Sequence, residues 1–253
     1  MDRKGYLYDL LVHDLRGPLS VVATTASSLL SRTGQYGPLT ESQEHCLKRI
    51  ARNTKRAQVL LDEILDVARS EEHLFRSEHF LFDGVVKDSV ADAMELMDAA
   101  TTDKLRKAEG REGMQRVLEE AGVTVEISGK YGTTPFFHDR RKIGLILENL
   151  VSNALKYRSE HVKVCISGES EVCILVSDDG SGIPEQEQCN LYGRFVQLSN
   201  ANVPEVAGLG LGLHCVKVLV EAMGGDIGCM SKKGCGTTFT VHIPPCAEEE
   251  KTP

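Results

Sequence analysis

Steps of four and three that run from Gln43 to Ala68 constrain this chain more than any other feature of its sequence. Positions 43, 47, 50, 54, 57, 61, 64 and 68 carry Gln43, Leu47, Ile50, Thr54, Ala57, Leu61, Ile64 and Ala68. That is a heptad seam, with Leu60 and Leu65 beside it. The other faces carry Lys48, Arg49, Arg52, Lys55, Arg56, Asp62, Glu63 and Asp66. Such a stripe predicts a helix packed along another helix. The neighbour in sequence is a Leu- and Val-rich helical pattern from about Arg3 to Arg32, reached through "TGQYGPL", whose glycines and proline predict a turn. Thr40 reads as the N-cap of the second helix, Gln43 as the other half of a capping box, and Leu39 as its staple. The two helices form an antiparallel hairpin. One hairpin of this size cannot bury its apolar stripe alone, whereas two copies from two chains can, as a four-helix bundle. A homodimer is therefore expected; the other way to cover the stripe is against the rest of the same chain.

Composition narrows the rest. The formal net charge of −8 over 253 residues argues against general nucleic-acid binding, which needs clustered Lys and Arg. The eight cysteines form no C-x-x-C pair and no zinc spacing with histidine, which predicts reduced thiols in a cytoplasmic protein. No apolar run approaches the ~20 residues of a membrane span. The N-terminus lacks the apolar stretch and cleavage site of a signal peptide, and the acidic end, 248–253, reads as a frayed tail.

From "HFLFDGVVKDSVADAMELM" onward the pattern changes. A helix is expected from about Asp83. The stretch 98–122 is charged, glycine-broken and partly helical, and reads as one extended helix or a loop. "VTVEIS", "VKVCIS", "EVCILVS" and "TTFTVHI" read as strands, the middle two joined by the hairpin signal "GESE". "RRKIGLILENLVSNALKY" and "GLHCVKVLVEAMGG" read as helices, the second closing on Gly224 and Gly225. The expected fold is α + α/β: a helical hairpin forming a dimeric four-helix bundle, then an α/β sandwich with helices packed on one face of a mixed sheet.

Three stretches in the second part carry chemistry. In "ENLVSNALKY", Asn149 and Asn153 are four apart on one helical face, with Lys156 three beyond and Tyr157 next. Amide oxygens can ligate Mg²⁺, a hard cation that favours phosphate co-ligands, and a nearby lysine balances phosphate charge. In "VSDDGSGIP", Asp178 ends an apolar strand, and Gly180 and Gly182 let the backbone approach a ligand. A carboxylate there can accept hydrogen bonds from a purine amino group. In "GLGLGL", Gly208, Gly210, Leu211 and Gly212 lead into a helix, whose free N–H groups make a phosphate cradle. No strand precedes it, so it is not a dinucleotide fingerprint, and it lacks the lysine of a Walker loop. Each stretch also has a plain structural reading: capping asparagines, a strand-ending turn, a glycine hinge.

The first helix holds the oddest sequence, "VHDLRGPLS". His13 sits beside Asp14, and Gly17 and Pro18, the two poorest helix formers, follow. Pro18 cannot donate to the Asp14 carbonyl, which predicts a helix that continues through a kink, with His13 and Asp14 exposed.

"HDLRGPL", "ENLVSNALKY", "DDGSGI", "RFVQ", "GLGLGL" and "GCGTTF" follow one another in the order and rough spacing of a bacterial two-component sensor histidine kinase. The resemblance covers nearly the whole chain. It implies a transmitter core: a dimerisation and histidine-phosphotransfer domain over 1–78, then over 79–247 a catalytic ATP-binding domain of the fold shared with gyrase, heat-shock and mismatch-repair ATPases. His13 resembles the phosphoacceptor, and Asp14 the adjacent acid that orients the imidazole and takes its proton. Asn153 resembles the Mg²⁺ ligand, with Asn149 beside it and Lys156 and Tyr157 near phosphate and nucleotide. Asp178 resembles the adenine-binding acid, with Gly180 and Gly182 shaping that wall and Thr237 near it. Gly208, Gly210, Leu211 and Gly212 resemble the phosphate-side loop at the end of the ATP lid, and Phe195 the phenylalanine before that lid.

The implied function is autophosphorylation of His13 from ATP with Mg²⁺, followed by transfer to an aspartate on the receiver domain of a response regulator. The implied setting is the cytoplasm, with a homodimer, no nucleic acid and no membrane segment in this chain. Some positions depart from the pattern. Gly17 stands where the family often has Thr or Asn, the side chain linked to removing phosphate from the partner. Gln197 replaces an arginine common in "RFVQ", Asp179 replaces a common Asn and adds charge near the nucleotide, and the lid from Gln197 to Gly208 is short. Only 12 residues precede His13, with no sensor or receiver domain, as expected of a fragment of a longer sensor or of a chain with a separate sensing partner. Gly17 and Gln197 also suit a second reading, a nucleotide-binding pseudokinase serving as a dimeric scaffold. A clamp-type ATPase is a third; it would place a water-activating Glu where Asn149 aligns.

Overall fold

Pro18 does not end its helix. In a computed structural model, α1 runs unbroken from Arg3–Ser31 with Pro18 inside it. Described are residues 3–71, 76–95, 97–193 and 212–246; the side chains of 3–14, His13 and Asp14 among them, and those of 33, 35, 52, 55, 56, 59, 60 and 62–71, with Leu60, Ile64, Leu65 and Ala68 of the seam, lie outside the described set. Two compact units divide the chain, Met1–His73 and Leu74–Pro253.

In the first unit, "TGQYGPL" is only half a turn. Its first residues wind into a short helix, α2 (Thr33–Tyr36), before Gly37 takes φ 86° and stops it. Next comes α3 (Glu41–Glu71). Its capping box forms as expected: Gln43 N–H donates to Thr40 Oγ1 at 3.3 Å, and Thr40 N–H donates back to Gln43 Oε1 at 2.9 Å. α3 packs along α1. Thr54 is buried there because its hydroxyl returns to the Ile50 carbonyl at 2.9 Å, and Gln58 Nε2 reaches Ser20 Oγ at 3.3 Å. On α1, Ala26 is buried. Yet Leu15, Val21 and Ile50 remain 51%, 66% and 43% exposed. Within one copy, the hairpin leaves apolar surface uncovered.

The second unit begins with β1 (Glu78–Phe80) and α4 (Phe82–Met94). The stretch expected as one extended helix or a loop is two helices, α5 (Ala99–Lys107) and α6 (Gly110–Glu120). Asp98 caps α5 by accepting from Thr101 N–H at 3.0 Å. Gly110 opens α6 at φ 66°, and Lys87 Nζ binds the Ala108 carbonyl between the two helices. Leu105, Met114 and Leu118 carry the burial that holds both helices down. Then follow β2 (Val123–Ile127), β3 (Phe136–His138), α7 (Arg140–Tyr157), β4 (Val162–Ser167), β5 (Val172–Asp178), α8 (Glu185–Gln188), α9 (Gly212–Ala222), β6 (Asp226–Ser231) and β7 (Thr237–Ile243).

The main sheet has strand order β2-β4-β5-β7-β6; β2 and β4 are parallel and the other pairs antiparallel. Alternation sends Val172, Ile174 and Val176 of β5, and Phe239, Val241 and Ile243 of β7, to one buried face. Against it pack Ile143, Leu147, Leu150 and Val151 of α7 and Val216, Leu219 and Val220 of α9. Burial of a side chain of this size contributes about 1.5–3 kcal/mol. At the C-terminus of α9, Gly224 takes φ 73°. Gly224 N–H then reaches the Glu221 carbonyl at 3.0 Å, and Gly225 N–H the Val220 carbonyl at 2.9 Å. This pattern satisfies the last carbonyls of the helix.

His138 lies at the entrance to α7, 2% exposed, with its ring stacked on Phe136. Asp139 N–H donates to its Nδ1 at 2.8 Å, a bond only an unprotonated Nδ1 can accept. Burial pushes its pKa down to about 4; Asp139 pulls the other way, and Lys142 adds to the drop. The folded chain therefore keeps this ring neutral while the unfolded chain protonates it near 6.5. Stability from this group is whole above pH 6.5 and lost as pH falls toward 4. The expected loss is about 3 kcal/mol by pH 4. Urea midpoints measured from pH 7.5 to 4.5 should fall less steeply in His138→Gln; equal slopes would count against it.

Candidate functional site

At one end of the sheet the apolar alternation gives way to a polar row. Asp178 on β5 pairs laterally with Thr237 on β7, which pairs with Ser231 on β6. Lateral partners share a face, so all three side chains continue the side that Val176 and Phe239 occupy, the side covered by helices. Asp178 Oδ1 accepts Gly180 N–H at 2.9 Å, and Thr237 N–H also donates to this carboxylate. Burial raises the carboxyl's pKa, the two N–H bonds offset part of that, and Asp179 raises it further. The result is a half-sheltered carboxylate with acceptor capacity left over.

Glycine is required beside it. A side-chain carbon on Gly180 would collide with the Tyr157 carbonyl, so the loop after β5 lies flat on the C-terminal end of α7. Gly182, at φ 66°, closes the same loop against the Lys232 carbonyl. Asp179 turns away from the row. Its carboxylate accepts N–H groups of Ser159 at 2.9 Å, Glu160 at 3.0 Å and His161 at 3.0 Å. Burial raises its pKa, but these N–H bonds outweigh that and hold the carboxyl below its usual range. Its carboxylate is thus tied to the segment after α7, while its charge still raises the pKa of Asp178.

On α7, Asn149 Nδ2 donates to the Leu145 carbonyl at 2.9 Å. Its Oδ1 meets the start of α9, where a side-chain carbon on Gly212 would come within 2.5 Å of it. Asn153 is half-buried one turn further on, and Lys156 holds its ammonium 4.8 Å from the Tyr157 ring centre. The structure therefore brings Asp178, Gly180, Gly182 and Thr237 together, and separately seats Asn149 against Gly212. Gly208, Gly210, Leu211, Phe195 and Gln197 lie outside the described residues, as do the side chains of His13 and Asp14.

Four residues escaped the sequence reading. Gln188 Nε2 donates to the Ile183 and Ser231 carbonyls at 2.9 and 2.8 Å. His214 Nδ1 lies 3.0 Å from the Tyr192 carbonyl, and burial pushes the Tyr192 phenol up to about 12. Ser231 joins the row itself. Reading "SKKGCGT" as a hairpin would have set Ser231 opposite Thr237; the Gln188–Ser231 and His214–Tyr192 contacts span 43 and 22 residues and have no local signal.

Residues 4–73 match the model of the His Kinase A (phospho-acceptor) domain, and residues 138–247 that of the Histidine kinase-, DNA gyrase B-, and HSP90-like ATPase. The circadian input-output histidine kinase CikA of Synechococcus elongatus is 31% identical over 95% of this chain and 30% of its own length. The sensor histidine kinase WalK of Bacillus subtilis is 40% identical over 44% of this chain and 19% of its own. The chain thus spans about a third or less of these relatives. Full-length ShkA, solved with AMPPNP, aligns over 97% of this chain and 47% of its own at TM-score 0.65 and 21% identity. The Acinetobacter baumannii histidine kinase AdeS aligns over 92% and 98% at TM-score 0.54 and 22% identity. At such identities these two solved structures show the shared fold.

Proposed function

Because this chain belongs to the sensor histidine kinases and carries their transmitter core, we propose that it binds ATP at the Asp178 row and transfers the γ-phosphoryl group to His13. The observation that carries this reading is the sheltered carboxylate of Asp178, set beside Thr237 on the helix-covered side of the sheet. Its remaining acceptor capacity suits a purine amino group. Gly180 and Gly182 keep that wall flat, Asn149 abuts Gly212, and the motif that holds Gly208, Gly210 and Leu211 is the one we assign to phosphate binding. Lys156 and Tyr157 border phosphate and nucleotide.

The amide oxygen of Asn153 is the hard donor that suits Mg²⁺. Mg²⁺ held there would neutralise charge on the phosphate oxygens. At His13 the unprotonated ring nitrogen attacks the γ-phosphorus, and the bond from γ-phosphorus to the bridging oxygen breaks, releasing ADP. Asp14 takes the proton from the other ring nitrogen, so the phosphohistidine forms with a neutral ring. The phosphoryl group then passes to an aspartate of a receiver domain. The exposed Leu15, Val21 and Ile50 support a homodimer through the hairpin, since a second copy would cover them. We divide the chain into a phosphotransfer domain, 1–78, and a catalytic domain, 79–247.

Incubating the purified chain with γ-labelled ATP and Mg²⁺ tests the proposal. Acid-labile, alkali-stable label on the protein is expected. Nucleotide binding with no label would overturn it in favour of the dimeric scaffold.

A further inference from the structure

Ser231 has one proton and two lone pairs, and three partners surround it. Its Oγ accepts Ile183 N–H at 2.8 Å, lies 2.9 Å from the Gly236 carbonyl, and lies 2.9 Å from Thr237 Oγ1. A carbonyl can only accept, so the bond to Gly236 uses the serine's single proton. The contact with Thr237 is then a hydrogen bond only if Thr237 donates. That assignment satisfies every group: Ser231 accepts twice and donates once. Gln188 holds the same strand end in place through the Ser231 and Ile183 carbonyls.

The consequence falls on Thr237. With its own proton committed to Ser231, its oxygen offers only acceptor capacity. Asp178 beside it is an acceptor too when ionised. The row therefore presents acceptors, and no side-chain donor, on the helix-covered side. Building on the nucleotide-site reading above, we propose that Ser231 is a positioning residue for base selection. By fixing the hydroxyl direction of Thr237 it makes the Asp178–Thr237 pair a wall that takes a 6-amino purine and rejects a 6-oxo purine. An amino group meets two acceptors; an oxo group would meet them with lone pairs of its own, and buried acceptors left unpaired are costly.

Calorimetric titration of the chain with Mg-ATP and with Mg-GTP reads the ratio of the two Kd values. In Ser231→Ala, Thr237 loses its acceptor and its hydroxyl can turn to donate. The preference for ATP is expected to fall by roughly five- to tenfold, the size of one hydrogen bond. Ser231→Thr, which keeps the hydroxyl, should retain the preference to within about twofold. Adding Ser231→Ala to Thr237→Val should leave the ratio of Thr237→Val unchanged, because no hydroxyl remains to be oriented. If Ser231→Ala does not fold, Ser231→Cys keeps the volume with a much weaker acceptor and should lower the ratio in the same direction. Equal weakening of both nucleotides would make Ser231 a mere loop support and overturn the proposal. Failure of the unsubstituted chain to bind either nucleotide would instead overturn the nucleotide-site reading, and the proposal with it.

Discussion

His13→Gln is expected to take up no phosphoryl label from γ-labelled ATP above background, a fall of at least about a thousandfold. Glutamine is close in size and a good helix former, so α1 should persist with a stability change within about 0.5 kcal/mol. What it lacks is a ring nitrogen that can attack phosphorus while its partner nitrogen gives a proton to Asp14. Nucleotide binding should be unchanged, since Asp178, Thr237, Asn149 and Asn153 all belong to the other compact unit. Label formation and ATP affinity, measured on the same preparations, separate the two effects. Undiminished label on His13→Gln would place the nucleophile elsewhere. Lost ATP affinity would mean that the substitution had damaged more than the acceptor.

Asp178→Asn should do the converse. It replaces one acceptor oxygen of the row with an amide donor, which would face the amino group of the base donor to donor. ATP affinity is expected to fall about a hundredfold, the scale of a hydrogen bond to a charged group. Folding should not suffer. Burial raises the pKa of this carboxyl, so the folded chain holds the proton more tightly than the unfolded one. The free protein therefore loses stability as pH rises above the unfolded value, once the group ionises. Asparagine has no such charge to shelter. At neutral pH the nucleotide-free Asp178→Asn protein should melt at or above the parent, while the rise in Tm that a given ATP concentration produces should be much smaller than the parent's. A variant that melts well below the parent, or one that gains as much Tm from ATP as the parent does, would contradict this account of Asp178.

Much of the architecture was legible because local chemistry and periodicity agreed. "RRKIGLILENLVSNALKY" has apolar residues at helical spacing behind the capping Asp139, and α7 spans Arg140–Tyr157. Thr40 and Gln43 form their box within four residues. The β-branched runs of β4, β5 and β7 alternate cleanly. By contrast β6, "DIGCMS", holds a glycine, an acid and few β-formers, and its strand state comes from pairing with β7. β1 and β3 are three residues each and hold each other as a pair. The break between α5 and α6 depends on Lys87, which is 21 residues from the carbonyl it binds.

The same division runs through the candidate site. From the sequence alone came the residue types that could do the chemistry: a histidine beside an acid, two asparagines on one helical face, a carboxylate closing an apolar strand, glycines before a helix. Those follow from composition and spacing along one chain, which short-range geometry converts into faces and caps. Where each polar group points was decided only by tertiary structure. Asp178 and Asp179 are adjacent and chemically identical, yet one lies in the polar row and the other clamps the backbone of 159–161. Asp178 is the last residue of β5 and keeps its alternation, whereas Asp179 lies just beyond the strand and is turned by the N–H groups of 159–161. Ser231 likewise reads as an ordinary strand serine until the β6–β7 register sets it against Thr237. A hydroxyl's direction is set by the acceptors around it, and the fold supplies those from three separate segments of the chain.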